Sequence, residues 1–188
     1  METDTIETER LFLRPWMASD AEALFRHASH PNLGPPAGWE PHPSVDYSRE
    51  VIRAIFSLPE VYAVVPKDCT EPVGLCGIVP SSGSRTSDID EDDGEISYWI
   101  AVPFQGRSLI PEAVSALMER AFSSLGYKAL WCGIFSDNAK SKSVCRKCGL
   151  TFHHSAEVMQ ADSGERKRED FFRITAAEFA ARQTGSTS

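Results

Sequence analysis

The stretch Ile100-Ala101-Val102-Pro103-Phe104-Gln105-Gly106-Arg107-Ser108-Leu109-Ile110-Pro111 joins an alternating strand to a helix with a wide apolar stripe. A short loop at a helix start presents backbone N–H groups without helical partners, and the helix dipole adds partial positive charge there. Such a loop binds phosphate through the main chain alone. Gly106 lets the backbone approach a ligand closely, and Arg107 adds a cation. Taken alone, a loop with one glycine is also an ordinary connection. Asp88, Asp90, Glu91, Asp92, Asp93 and Glu95 place six carboxylates within eight residues. Runs of this kind are solvated loops or lie near a cationic substrate. Cys145-x-x-Cys148 has zinc or redox spacing, but no second close-spaced pair completes a four-ligand site. His153 and His154 are adjacent on a strand-like segment, where neighbours point to opposite faces. No metal is expected.

These residues are positioned by one mixed α/β pattern. Ile6 to Trp16 reads as a strand. Ser19-x-x-Glu22 reads as a capping box that opens a short helix through Leu24, Phe25 and Ala28. Pro31 to Pro43 holds five prolines and two glycines, so it is a loop. A second helix spans about Ser44 to Ser57, with Tyr47, Val51, Ile52, Ile55 and Phe56 at helical spacing. Val61–Pro66 and Pro72–Val79 read as strands. Glu95–Val102 is the clearest strand, with Ile96, Tyr98, Ile100 and Val102 on one face. A helix follows from about Pro111 to a stop at Gly126. Then come a strand at Ala129–Phe135, a basic helix at Asn138–Cys148, and strands at Leu150–Met159 and Phe171–Thr175. A short helix at Ala176–Arg182 follows, and Gln183–Ser188 is expected to be disordered. The pattern is a single domain over 1–182 with a tail at 183–188, without repeat or linker.

Composition narrows the class. The chain has 188 residues, 41% hydrophobic and 24% charged, which suits an ordinary globular domain. The net charge of -8 argues against nucleic acid as partner. No apolar run has the 18 residues of a membrane span. The acidic start lacks the pattern of a signal peptide. Five cysteines, an odd number, fit reduced thiols in a cytoplasm.

The order of these elements, together with the Gln105–Ala113 loop, resembles the GNAT family of acetyl-CoA-dependent N-acetyltransferases. That family's loop reads Q/R-x-x-G-x-G/A; here Gln105, Ser108 and Ile110 fill the three positions. The closer likeness is to the ribosomal-protein-alanine N-acetyltransferase branch. Gly94-Glu95-Ile96-Ser97-Tyr98-Trp99-Ile100 is similar to that branch's G-E-I-G-Y-W-I strand. Asn138-x-x-Ser141-x-x-Val144-x-x-Lys147-x-Gly149-Leu150 is similar to its N-x-x-S-x-x-V-x-x-K-x-G-F. Thr8 to Pro15 and Ala37 to His42 resemble further segments, so the likeness covers roughly residues 6 to 178.

The resemblance implies a mostly antiparallel central sheet of about seven strands with about four flanking helices, splayed at the fourth and fifth strands. It implies acetyl-CoA as co-substrate. The backbone of Ile100, Ala101 and Val102 would bond the pantetheine arm, and the N–H groups of Gln105, Gly106, Arg107, Ser108, Leu109 and Ile110 the diphosphate. Asn138, Ser141 and Lys147 would complete the cofactor site. Transfer of acetyl to an amine needs a neutral amine, hence a base, and an acid for the departing thiolate. Glu95 is the expected base. Many family members use a tyrosine as acid where this chain has Cys145; Ser141 matches the acid proposed for the ribosomal branch. Trp39, His42 and Tyr47 are the expected walls for an amine, whether a peptide N-terminus or a small molecule. Ser108 departs from the usual glycine, and serine is disfavoured if the loop needs positive φ there. Three other readings stay open: an antibiotic- or polyamine-modifying enzyme, a CoA-binding module without turnover, and a homodimeric interaction protein.

Overall fold

The computed structural model describes residues 4–84, 86–159 and 164–185. Its chain forms two compact units built from interleaved segments. The first runs to Ile78 and adds Ser97–Leu117; the second joins Val79–Ile96 to Met118 onward. Neither unit is one contiguous stretch.

The first unit begins with a hairpin, β1 (Ile6–Glu7) against β2 (Leu11–Pro15), with Ile6 opposite Leu13. The expected single strand over 6–16 is therefore two, because the chain turns where the Thr8 N–H donates to the Leu11 carbonyl. β2 pairs antiparallel with β3 (Val61–Pro66), and β3 with β4 (Gly74–Pro80). β5 (Gly94–Ile100) begins in the second unit and ends in the first, where the Ala101 N–H donates to the Val73 carbonyl. Gly74 is needed at this crossing: a Cβ there would lie 2.5 Å from the Trp99 carbonyl oxygen. Helices α1 (Ala21–Ala28) and α2 (Val45–Val51) cover this part, with Trp16, Leu24, Ile52, Val65, Leu75 and Trp99 in one apolar cluster.

Two local expectations need correction. Ser19 does not cap α1. Instead Asp20 accepts the Met17 N–H and a two-pronged bond from Arg14, both nearly buried. Ser44 does cap α2, accepting the Tyr47 N–H, and the helix continues as a π-helical stretch over Ile52–Phe56. Ile52 is buried, but Tyr47 and Ile55 of the expected apolar stripe are exposed.

In the second unit β5 meets β6 (Ala129–Phe135) in parallel, and β6, β8 (Arg166–Thr175) and β7 (Thr151–Met159) follow in that order, antiparallel. β8 starts well before the expected Phe171. Among the described residues the sheet has eight strands, close to the about seven expected, the additional one being β1. Helix α3 (Leu109–Arg120), which belongs to the first unit as far as Leu117, starts two residues before Pro111, buries Ala113, Val114, Leu117 and Met118, and runs through a π-helical turn to Gly126. α4 (Ala139–Cys148) ends at Gly149 with φ 89°. α5 (Ala176–Gly185) extends past the expected Arg182, so Gln183–Gly185 belong to a helix and 186–188 lie outside the described residues. Among the described residues there are five α-helices, as the sequence pattern has it, close to the about four that the resemblance implied. None of the five cysteines is in a disulfide. No helix among the described residues is long and apolar enough to cross a membrane.

Candidate active site

The expected site residues fall in both units. In the first, β5 ends at Ile100 and Val102 opens a 3-10 turn, Val102–Phe104. Val102 is therefore a turn residue, not the strand residue that the alternation suggested; Pro103 fixes φ and interrupts the strand. The loop then reaches α3 with two residues in the left-handed region, Gly106 at φ 78° and Ser108 at φ 57°. Glycine tolerates that region freely, whereas an L-residue costs about 1–2 kcal/mol there. Ser108 is held in place by Arg10, whose guanidinium donates to the carbonyls of Arg107 and Ser108 and to Glu112. Thr8 also donates to Glu112, at 2.6 Å, and the Arg10 N–H does so at 2.8 Å. Burial would raise the Glu112 carboxyl, but the bonds from Thr8 and Arg10 outweigh it and lower its pKa. The Arg107 guanidinium lies over the Phe104 ring.

This loop stores strain that one atom group explains. Ser108→Gly is expected to stabilise the protein by about 1 kcal/mol, raising Tm by about 2–4 °C. An unchanged or lower Tm would mean that the Arg10 bonds, not the residue type, set the loop energy.

Trp39, His42 and Tyr47 do come together. The Trp39 and His42 rings are 5.5 Å apart, and the His42 and Tyr47 rings 5.0 Å, edge to face. Trp39 also meets Trp99 edge-on. His42 is buried and its Nδ1 shares a 2.8 Å hydrogen bond with the Ser48 hydroxyl. Burial pushes its pKa down, so the imidazole is neutral at pH 7. Tyr47 stays half exposed at the end of this aromatic row.

In the second unit Glu95 is buried, with 7% exposure. Its Oε2 accepts the Ser84 hydroxyl at 2.5 Å and its Oε1 accepts the Gly133 N–H at 3.2 Å. β5 and β6 pair in parallel at Gly94↔Leu130 and Glu95↔Trp131. Glu95 thus places a side-chain acceptor against the backbone of β6. Gly133 makes this possible: a Cβ there would sit 3.0 Å from Glu95 Oε1, 3.1 Å from Glu169 Oε2 and 2.8 Å from the Phe171 ring. The acidic run is therefore not one solvated face. Asp88, Asp90, Glu91 and Asp92 are exposed, but Glu95 is buried and so is Asp93, which accepts the Trp131 indole N–H.

Asn138 is the N-cap of α4, its side-chain oxygen accepting the Ser141 N–H at 3.1 Å. Asparagine suits this because its short carbonyl satisfies an orphan helix donor. Lys140, Arg146 and Lys147 are exposed on α4. Lys142 is not part of that exposed cationic face. It turns onto Asp170 and the Ser136 carbonyl, each at 2.5 Å. Cys145 and Cys148 are buried.

Sequence reasoning missed Ser84, Gly133, Arg10 and Glu112 as parts of these arrangements. Gly133 carried a usable signal, because a lone glycine inside an apolar strand marks a close approach. Ser84 and the Arg10–Glu112 pair carried none, since each depends on long-range contacts.

Comparison with known proteins agrees with this architecture. The family model for the acetyltransferase (GNAT) domain matches residues 10–151. The chain belongs to the GNAT family of acetyltransferases. It is 27% identical over 145 residues to p20 of Bacillus licheniformis, described as an uncharacterized N-acetyltransferase, covering 73% of this chain and 77% of that one. Among solved structures, the fold is similar to a GNAT-family acetyltransferase from Bacillus anthracis, with TM-score 0.77, 18% identity, and coverage of 93% of this chain and all of the other (100%). It is also similar to a ribosomal-protein-S5-alanine acetyltransferase from Vibrio fischeri, with TM-score 0.72, 17% identity, and coverage of 94% and 98%.

Proposed function

We propose that the protein transfers the acetyl group of acetyl-CoA to a primary amine, of a peptide N-terminus or a small molecule, by direct attack on the thioester. The observation that carries this is Glu95, a buried carboxylate held by one hydroxyl and one backbone N–H in a chain of the GNAT family. The amine nitrogen attacks the thioester carbon, the C–N bond forms and the C–S bond breaks. Glu95 takes the amine proton, directly or through water, and the thiolate takes a proton from Ser141. Backbone N–H groups of Gln105 to Ile110 bind the diphosphate at the start of α3, where the helix dipole favours anions. Ile100 offers backbone to the pantetheine arm, whereas both backbone groups of Ala101 are engaged with Val73 and Phe104, and Asn138 and Lys147 bind further along the cofactor. Trp39, His42 and Tyr47 face the amine. The likeness to the ribosomal-protein-alanine branch favours a protein N-terminus as acceptor, and the setting is cytoplasmic.

A thermal melt with excess acetyl-CoA, followed by a thiol-release assay over an amine panel, tests this. At about 100 times Kd, binding should add about 2.7 kcal/mol, or about 5–11 °C in Tm. The panel includes N-terminal peptides, polyamines and aminoglycosides, and the amine that releases thiol names the substrate class. A shift with no thiol release from any amine would favour a CoA-binding module, the reading that the strained Ser108 supports. Absence of a shift would overturn the cofactor site.

A further inference from the structure

The strand alternation that separates His153 from His154 in the sequence does not hold in the fold. Phe152 pairs with Phe172 and His154 with Phe171, so His153 is the extra residue of a β-bulge. A bulge re-aims the side chains around it. Here the His154 ring stacks on Phe171 at 4.9 Å, and the His153 ring meets Trp131 edge-on at 4.8 Å. Their two Nδ1 atoms converge to 2.9 Å. An Asp88 carboxylate oxygen stands 3.6 Å from His154 Nδ1, and one donor atom from each of the three residues lies within 4.8 Å of the others.

We infer that Asp88, His153 and His154 form a binding site for a divalent transition-metal cation of the zinc class. Metal–nitrogen bonds of about 2.0–2.1 Å put neighbouring ligand atoms about 2.9–3.4 Å apart, from octahedral to tetrahedral geometry. The imidazole pair meets that spacing as it stands, and the exposed carboxylate closes on it with a small rotation. Two imidazoles and one carboxylate suit zinc, cobalt, nickel or copper, whereas calcium and magnesium take all-oxygen sets. The second nitrogen of His154, Nε2, is 3.5 Å from the Thr86 hydroxyl, an outer partner that orients the ring for binding through Nδ1. Three protein ligands leave the remaining positions to water.

The site would also act on its surroundings. Ser84, Thr86 and Asp88 belong to one loop, and Ser84 donates to Glu95. A cation held by Asp88 and the two histidines ties that loop to β7, and so holds the Ser84 hydroxyl on Glu95. The cation site itself does not depend on the proposed acetyl transfer.

The test is a titration of the untagged full chain with cobalt(II), followed by its d–d absorption, and with zinc by calorimetry. One equivalent is expected to bind without a thiolate-to-cobalt charge-transfer band. His153→Gln and Asp88→Asn each remove one ligand from an exposed position and should weaken binding at least about ten-fold while leaving the melt of the metal-free protein unchanged. Equal affinity in the wild type and both variants would overturn the site, as would a thiolate band, which would place the ion on cysteine. Failure of cobalt and zinc to bind at all would overturn it equally.

Discussion

Replacement of Glu95 by glutamine is expected to lower kcat for acetyl transfer by about 10²–10⁴-fold. Glutamine has the same length and keeps a carbonyl oxygen that can accept from Ser84 or from Gly133, the two donors that hold the carboxylate. What it loses is the ability to take a proton. The fold and the Gln105–Ile110 loop, proposed to hold the cofactor, lie outside the change, so the Tm increase expected with acetyl-CoA should be unaltered. A loss of the acetyl-CoA shift would assign Glu95 to cofactor binding instead. Unchanged turnover would remove it as the base. Ser84→Ala gives the companion result: it leaves the carboxylate in place but frees one oxygen, and a loss well below that of the glutamine variant is expected. A single lost hydrogen bond to a charged group is worth about 1.5–3 kcal/mol at most.

Asp170→Asn should cost about 3 kcal/mol of stability, a fall in Tm of about 6–12 °C. Asp170 accepts from Lys142, Ser136 and Ser155, and its side chain is 14% exposed against 18% for Lys142. Burial would raise the Asp170 carboxyl. The hydrogen bonds from Lys142, Ser136 and Ser155, with the Lys142 charge, outweigh it and bring it down to about 2. A folded-state pKa below the unfolded value means that stability is present above the unfolded value and is lost as pH falls towards the folded one. The contribution, on the order of 2 kcal/mol, is therefore complete above pH about 4 and disappears between there and pH about 2. Asparagine removes that acid-dependent part and leaves the Lys142 ammonium half-enclosed without its counter-charge. The exposed Asp46–Arg49 pair on α2 is the control, for which Asp46→Asn should change stability by less than about 0.5 kcal/mol. Equal losses at the two positions would contradict the difference in burial. A double change of Lys142 and Asp170 to apolar residues should recover part of the loss.

Much of the fold was legible because its strongest signals are local. The alternation over Glu95–Ile100 and the apolar stripe of α3 each require only neighbours in sequence, and both elements stand where they were expected. Ser108 was legible as a departure, and its positive φ is the conformation in which serine is disfavoured. The illegible parts depend on partners far away in the chain. Lys142 reads as one more surface cation until β8 places Asp170 beside it. His153 and His154 read as opposed until the pairing of β7 with β8 forces the bulge. The start of α1 was misread because Arg14 supplies Asp20 with a better role than Ser19 could take in a capping box.

The hydrogen bond from Thr8 to Glu112 spans 104 positions of sequence. The Arg10 bonds to Glu112 and to the Arg107 and Ser108 carbonyls span nearly as many, 97 to 102. Closing so long a loop costs chain entropy before any contact rewards it, so such contacts form late. During synthesis Thr8 and Arg10 emerge well before Glu112 and the loop carbonyls that they bind. The shape of the Gln105–Ile110 loop is therefore a product of a late stage of folding, set by Arg10 from far upstream in sequence. It should also be the first thing to go on mild denaturation, before the apolar cores melt.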